Sequence, residues 1–384
     1  MRRISLRLHG AYVEAYLYFD FAWLISKDGL IRAFDIEEYC SKRLNGSGNA
    51  ASKLFANNQR ITPENLDPEV NRLLKPQSSI DVSENDIERF SYTFKSLFDF
   101  KSILDFRFYY GRAFYSTEKS IQQFTAQGRD DLEFNGIGRT VKQPLHERLV
   151  SDSACRQFQC RYGAVSAACG RDGGLIGFGA NSDESNWEIE FGKFAAQSYG
   201  IELNPDAISN LHTPTEVEFY RAQSSRATAD ISNKLKSEEG RPDKLELTTV
   251  GERSYEEQTK LIANLVRQVG QAPKRIFLFK STLWIEFENG TMRRVVATEA
   301  DKVSDNPTIT QSFAAPGRIL ATSLTSIGVI AEGDDQVFLW KNKRWHVLVD
   351  DQVHSVRGYM NSRRYRNVVT AVRRDQVELI SLFN

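Results

Sequence analysis

An aliphatic residue set three places before a bulky apolar one, and preceded by a turn pair, recurs along this 384-residue chain. The clearest copy is residues 28–35 (DGLIRAFD). Others follow at 118–125 (EKSIQQFT), 172–179 (DGGLIGFG), 214–221 (PTEVEFYR), 289–296 (NGTMRRVV), 334–341 (DDQVFLWK) and 374–381 (RDQVELIS). The spacing of three sends Ile31 and Phe34, and their counterparts in each copy, to opposite faces of a strand, so both faces must be covered. Upstream of each copy lies a second apolar run: 21–26, 113–116, 164–169, 207–211, 282–287, 327–331 and 367–372. Two such runs joined by Asp-Gly, Asn-Gly or Asp-Asp predict a β-hairpin, because these residues tolerate the positive φ of a tight turn.

The shortest spacings between successive copies are about 40 to 45 residues, the length of one four-stranded propeller blade. An inner strand precedes and an outer strand follows the sixth hairpin, at 318–324 and 344–349. The seventh has its inner strand at 353–359 and then its hairpin, and residues 3–9 (RISLRLH) are predicted to supply its outer strand ahead of the first inner strand at 12–19. The expected fold is therefore all-β: a seven-bladed β-propeller over residues 1–384, closed by the N-terminal strand and carrying helical insertions. The competing reading is an irregular pair of all-β sandwiches.

The strand-turn-strand phrase resembles that of the WD40 repeat, with Phe34-Asp35 and Trp340-Lys341 standing where the Trp-Asp dipeptide of that family falls. No copy carries the dipeptide itself. The resemblance spans nearly the whole chain and implies a scaffold that presents loops to a protein partner.

Two segments break the repeat. Residues 41–87 begin with Asn45-Gly46-Ser47-Gly48 and contain Pro63, Pro68 and Pro76; Leu54, Phe55, Val70, Leu73 and Leu74 predict one or two short helices. This segment follows a third strand, so it should leave from the end opposite the hairpin turns, either as a decoration packed on the fold or as a partner-binding arm. Residues 222–272 end in an amphipathic stripe (Leu261, Ile262, Leu265, Val266, Val269) within 254–270, expected to dock on its own domain.

Charge and candidate chemistry narrow the function. Lys plus Arg and Asp plus Glu are 50 each, so no global field draws the chain to nucleic acid or an anionic membrane. No run approaches the roughly 20 apolar residues of a membrane-spanning helix, and residues 1–20 lack the apolar core of a signal peptide. Four cysteines in a chain of this size point to a reducing, cytoplasmic setting. Cys155 and Cys160, five apart in a predicted strand, face opposite sides and do not suit zinc; with Cys169 they are expected to be buried thiols. The Asp350-Asp351-Gln352-Val353-His354 run is expected to be a turn, and Gly177-Phe178-Gly179 lies in a strand where no phosphate could be cradled.

No catalytic residue, metal or cofactor is assigned. One cluster remains: Lys341, Lys343, Arg344, Arg357, Arg363, Arg364, Arg366, Arg373 and Arg374, joined by Arg2, Arg3 and Arg7 if the terminal strand closes the last blade. As a surface patch it would bind an acidic protein partner or, in the alternative reading, a nucleic-acid backbone. The leading expectation is a non-catalytic interaction scaffold or regulatory subunit.

Overall fold

The structure is a computed structural model. It describes residues 2–44, 46–56, 68–73, 78–96, 100, 102–109, 111–125, 139–140, 147–161, 164–179, 192–195, 197–203, 207–213, 216–222, 247–249, 267, 269–279, 282–296, 311–314, 316–360, 362 and 364–383. These fall into two compact units, one of Met1–Ile103, Phe124–Glu147 and Pro316–Asn384, the other of Leu104–Gln123 and Arg148–Ala315.

The first unit holds three sheets. One runs through Glu14–Tyr18, Phe21–Ile25, Leu30–Asp35 and Ser91–Lys95, with Arg139–Thr140 added in parallel at its edge. Every residue of Phe21–Ile25 is buried, as a strand covered on both faces requires. Ile31 and Phe34 are both fully buried, which matches the spacing of three in the repeat. Asp28 shapes the following hairpin by accepting from the Leu30 N–H at 3.2 Å, and Gly29 takes a φ of 81° that favours glycine. Trp23 stacks on Phe94 at 5.6 Å between ring centroids.

Asp35 closes the repeat phrase and opens a helix. Its side chain accepts from the Glu38 N–H at 2.9 Å, capping Ile36–Arg43. The 41–87 segment thus leaves from beside Phe21, the end of the sheet opposite the Asp28 hairpin. It forms Gly48–Phe55, Pro68–Leu73, the strand Ser78–Val82 and the helix Glu84–Arg89. Gly48 is required where the first two helices meet, since a Cβ there would lie 2.3 Å from the Cys40 carbonyl oxygen. Tyr39, Cys40, Leu54, Phe55, Val70, Val82 and Ile87 join one core with Ile4, Leu6, Leu8, Val377 and Leu379. Within its described residues the segment thus contributes buried side chains to that core.

A second sheet brings the two chain ends together in the order Ser355–Gly358, Val368–Val372, Gln376–Phe383, Arg2–His9 and Ser78–Val82. Arg2–His9 pairs antiparallel with Gln376–Phe383 from Arg2 opposite Phe383 to His9 opposite Gln376. All residues of Gln376–Phe383 are buried. The parallel strand Ser78–Val82, absent from the expectation, covers the free edge of Arg2–His9.

The third sheet is Ile319–Leu324, Val329–Gly333, Val337–Lys341 and Arg344–Val349. Its Ile330, Val337, Leu339 and Leu348 pack against Val369, Ala371, Ile380 and Leu382 of the terminal sheet.

Four further sheets follow. Their strands are Asp105–Tyr109, Arg112–Ser116, Ile121–Thr125 and Glu147–Ser151; Gln157–Arg161, Ala164–Ala168, Leu175–Gly179 and Gly192–Ala195; Gly200–Leu203, Ala207–Thr213, Glu216–Ala222 and Leu247–Thr249; and Pro273–Phe279, Thr282–Phe287, Thr291–Val296 and Gln311–Ala314. First strands of successive sheets are tied by polar side chains. Asp105 accepts from the Phe158 N–H at 2.6 Å, and Gln157 accepts from the Ile201 N–H at 2.9 Å.

Two local expectations need correction here. Cys155 precedes its strand, so the opposite-face argument does not apply to it; its thiol reaches the Gln157 carbonyl at 3.1 Å within a core shared with Cys169. The 172–173 turn is a single helical turn, Gly170–Gly173, closed by Gly174 at φ 66°. Of the 222–272 segment, only 222, 247–249, 267 and 269–272 are described, so most of the expected amphipathic stripe lies outside the described residues.

Candidate partner-binding surface

The eight described members of the basic set do not form one patch. Lys341 and Arg344 face each other across the turn Asn342-Lys343, next to the 325–328 turn, because Trp340 pairs with Val329. The Ser326 N–H donates to the Arg366 carbonyl at 2.8 Å, which brings Arg364 and Arg366 to this same end. Arg373 and Arg374 occupy the hairpin at the other end of Val368–Val372, roughly 15 Å away for a strand rising about 3.3 Å per residue.

Their surroundings differ as much as their positions. Lys343, Arg344 and Arg366 are exposed and make no ion pair among the described residues. Lys341 is half-buried, and that burial lowers the pKa of its ammonium group. Arg364 donates to Asp20 at 2.5 Å. Arg373 is bonded to Asp351, which holds that carboxyl below the usual range together with the Gln352 N–H. Arg374 is exposed, and Arg363 lies outside the described residues. Of the terminal arginines, Arg2 donates to Asn71, Arg3 to the Leu348 carbonyl, and Arg7 approaches Glu378 at 3.7 Å.

Arg357 leaves the surface set altogether. It is 7% exposed and holds Glu14, 3% exposed, through two bonds: Nη2 to Oε2 at 2.6 Å and Nε to Oε1 at 3.1 Å. Glu14 Oε1 also accepts from the Ser355 hydroxyl at 2.9 Å and the Ala15 N–H at 2.8 Å, and the guanidinium lies 5.8 Å from the Tyr16 ring centre. Strand position explains this: Arg357 sits within a first strand that faces Glu14–Tyr18, where a guanidinium is stable only if paired. Nearby Glu332 is pushed up to about 7, chiefly by burial; Arg357 opposes the shift and Glu14 adds to it. Chemically, the cluster joins inner strands of successive sheets.

A cavity of about 130 Å³ opens beside Tyr12, Arg32, Glu84 and Glu88, where Arg32 and Glu88 already approach each other at 3.7 Å. Among the described residues no three His, Cys, Asp or Glu side chains converge as metal ligands would. No described helix is long and apolar enough to cross a membrane. Burial pushes the Cys40 thiol up to about 12 and raises that of Cys155 as well, consistent with small buried apolar groups.

Five four-stranded sheets, each with its strands in sequence order, follow one another along the chain, and with the two five-stranded sheets they make an all-β propeller fold. No family model and no curated protein matches the chain. Among solved structures, the β-propeller domain of Cps50 (Swd1) from Myceliophteria thermophila matches 97% of this chain and 97% of its own, with a TM-score of 0.50 at 7% identity. The WD40 β-propeller domain of Doa1 matches at a TM-score of 0.46 and 8% identity, covering 100% of this chain and 93% of its own. The CNH domain of AfRom2 matches at 0.43 and 9%, covering 76% and 83%. Identities this low speak for the fold alone.

Proposed function

We propose that this protein is a non-catalytic, cytoplasmic interaction scaffold or regulatory subunit that binds a protein partner. In this reading the sheets are blades of one seven-bladed ring spanning 1–384, and Arg2–His9 supplies the outer strand of the last blade. The eight-pair register between Arg2–His9 and Gln376–Phe383 supports that closure. The partner surface is the end of the last two sheets that bears Lys343, Arg344 and Arg366. The observation carrying this assignment is that these three cations are exposed without an ion pair among the described residues. The nucleic-acid alternative is weaker, because Arg357, Arg364 and Arg373 are each held by a carboxylate and are not free for phosphate.

Affinity capture of the full chain from its native host, followed by lysine cross-linking, tests the proposal. A stable protein partner cross-linked through Lys343 is expected. Recovery of no stable partner would count against the scaffold reading.

A further inference from the structure

Two hairpin turns at the basic end have the same backbone and different chemistry. Asn342-Lys343 has φ values of 51° and 64°, and Phe19-Asp20 has 48° and 67°. Both are two-residue turns with positive φ at each central position, the type I′ geometry that favours Asn-Gly. Asn tolerates the left-handed region, whereas a bulky aromatic there is an outlier. Phe19 is moreover 46% exposed, touching the Tyr18 ring at 4.1 Å between centroids.

The strained turn is held from behind. The Asp20 N–H donates to the Tyr365 hydroxyl at 2.8 Å, the Asp20 carbonyl accepts from the Ile36 N–H at 3.4 Å, and the Asp20 carboxylate is bound by Arg364. A glycine at 19 would relieve the backbone at no loss to these bonds. An aromatic kept in a costly conformation, with its ring turned to solvent and its turn pinned, points to a contact made with something else.

Charge identifies that something. The carboxylate beside Phe19 is already neutralised by Arg364, and Arg366 follows in the same loop with its guanidinium exposed. Lys343 and Arg344 lie at this end through the 325–328 turn. We propose that Phe19 is the apolar anchor of a docking surface for an acidic peptide segment of a partner protein, with an apolar side chain of that segment against the ring and its carboxylates on Arg366, Lys343 and Arg344. This rests on the scaffold reading and names the partner's chemistry.

Fluorescence anisotropy on the full chain tests it, using a labelled glutamate-rich dodecapeptide with a central leucine. The controls are the same peptide with lysine for glutamate and a single-stranded oligothymidine of equal charge. The acidic peptide is expected to bind, more weakly as salt rises. Phe19→Gly should weaken it at least about tenfold while the melting temperature holds or rises, and Phe19→Leu should retain most of the affinity. Lys343→Glu with Arg366→Glu should also abolish binding. Unchanged affinity in Phe19→Gly, no binding of the acidic peptide, or equal binding of the oligothymidine overturns the proposal. So does a captured host partner whose cross-links map to Lys27 at the opposite end, an outcome that leaves the scaffold reading standing.

Discussion

Arg357 and Arg366 come from one short stretch of sequence and have opposite surroundings. Arg357 lies within a strand whose side chains meet the next sheet, so its guanidinium is desolvated and must be matched by Glu14. Arg366 lies in the loop that follows, and its charge remains in water. The same residue type therefore holds the fold together in one place and stays solvated at the surface in the other. Charge density along the sequence cannot separate these roles, because the separation depends on where the strand ends.

The largest expected effect falls on the buried side. Arg357→Ala leaves the Glu14 carboxylate buried with only neutral donors and should cost about 3–5 kcal/mol in urea unfolding. Adding Glu14→Leu to an Arg357→Met background should recover most of that loss, since removing both charges removes the unpaired one. A single-variant loss below about 1 kcal/mol would mean that the pair contributes no more than a surface ion pair. Tyr359→Phe comes next. The Tyr359 hydroxyl accepts from the Leu17 N–H at 3.1 Å and bonds Thr370 at 2.9 Å, so its removal strands a buried N–H at about 1–3 kcal/mol.

A third variant sharpens the comparison through pH. The Glu332 carboxyl keeps its proton in the folded protein until about pH 7, against 4.5 for its ordinary value. Between these values the folded state binds more protons than the unfolded one, so stability falls as pH rises through the window and levels above it. Glu332→Gln should flatten that slope in melting temperatures taken from pH 4.5 to 8; an unchanged slope would remove Glu332 from the account. The smallest effect belongs to the exposed side. Lys343→Glu with Arg366→Glu should move stability by less than about 0.5 kcal/mol, and a larger loss would show that these side chains are structural.

The strands were largely legible because their periodicity follows directly from covering both faces. The predicted run at 282–287 coincides with Thr282–Phe287, and the predicted outer strand at 344–349 with Arg344–Val349. Ser78–Val82 was not legible: its sequence is SSIDV, and the alternation of Ile80 and Val82 about Asp81 is too short, among polar neighbours, to mark a strand. The helix at Ile36–Arg43 did carry a signal, Asp35 followed three residues later by Glu38, a start pattern that the repeat phrase obscured.

The candidate surface was legible only in part. Composition pointed to a basic stretch, but Glu14 reads as the polar residue of a half-exposed strand, and nothing local reveals that its partner is Arg357 across the chain. Phe19 was missed for a related reason. Within 12–19 it reads as one more apolar strand residue, and only the backbone shows it at the tip of a left-handed turn.

The parallel strand Ser78–Val82 has a consequence for synthesis. Arg2–His9 is made before its main partner, Gln376–Phe383, so at about 5–20 residues per second the strand waits tens of seconds for its antiparallel neighbour. Ser78–Val82 emerges within roughly the first quarter of that wait. The inserted segment therefore supplies Arg2–His9 with a pairing strand before the 368–383 hairpin is made.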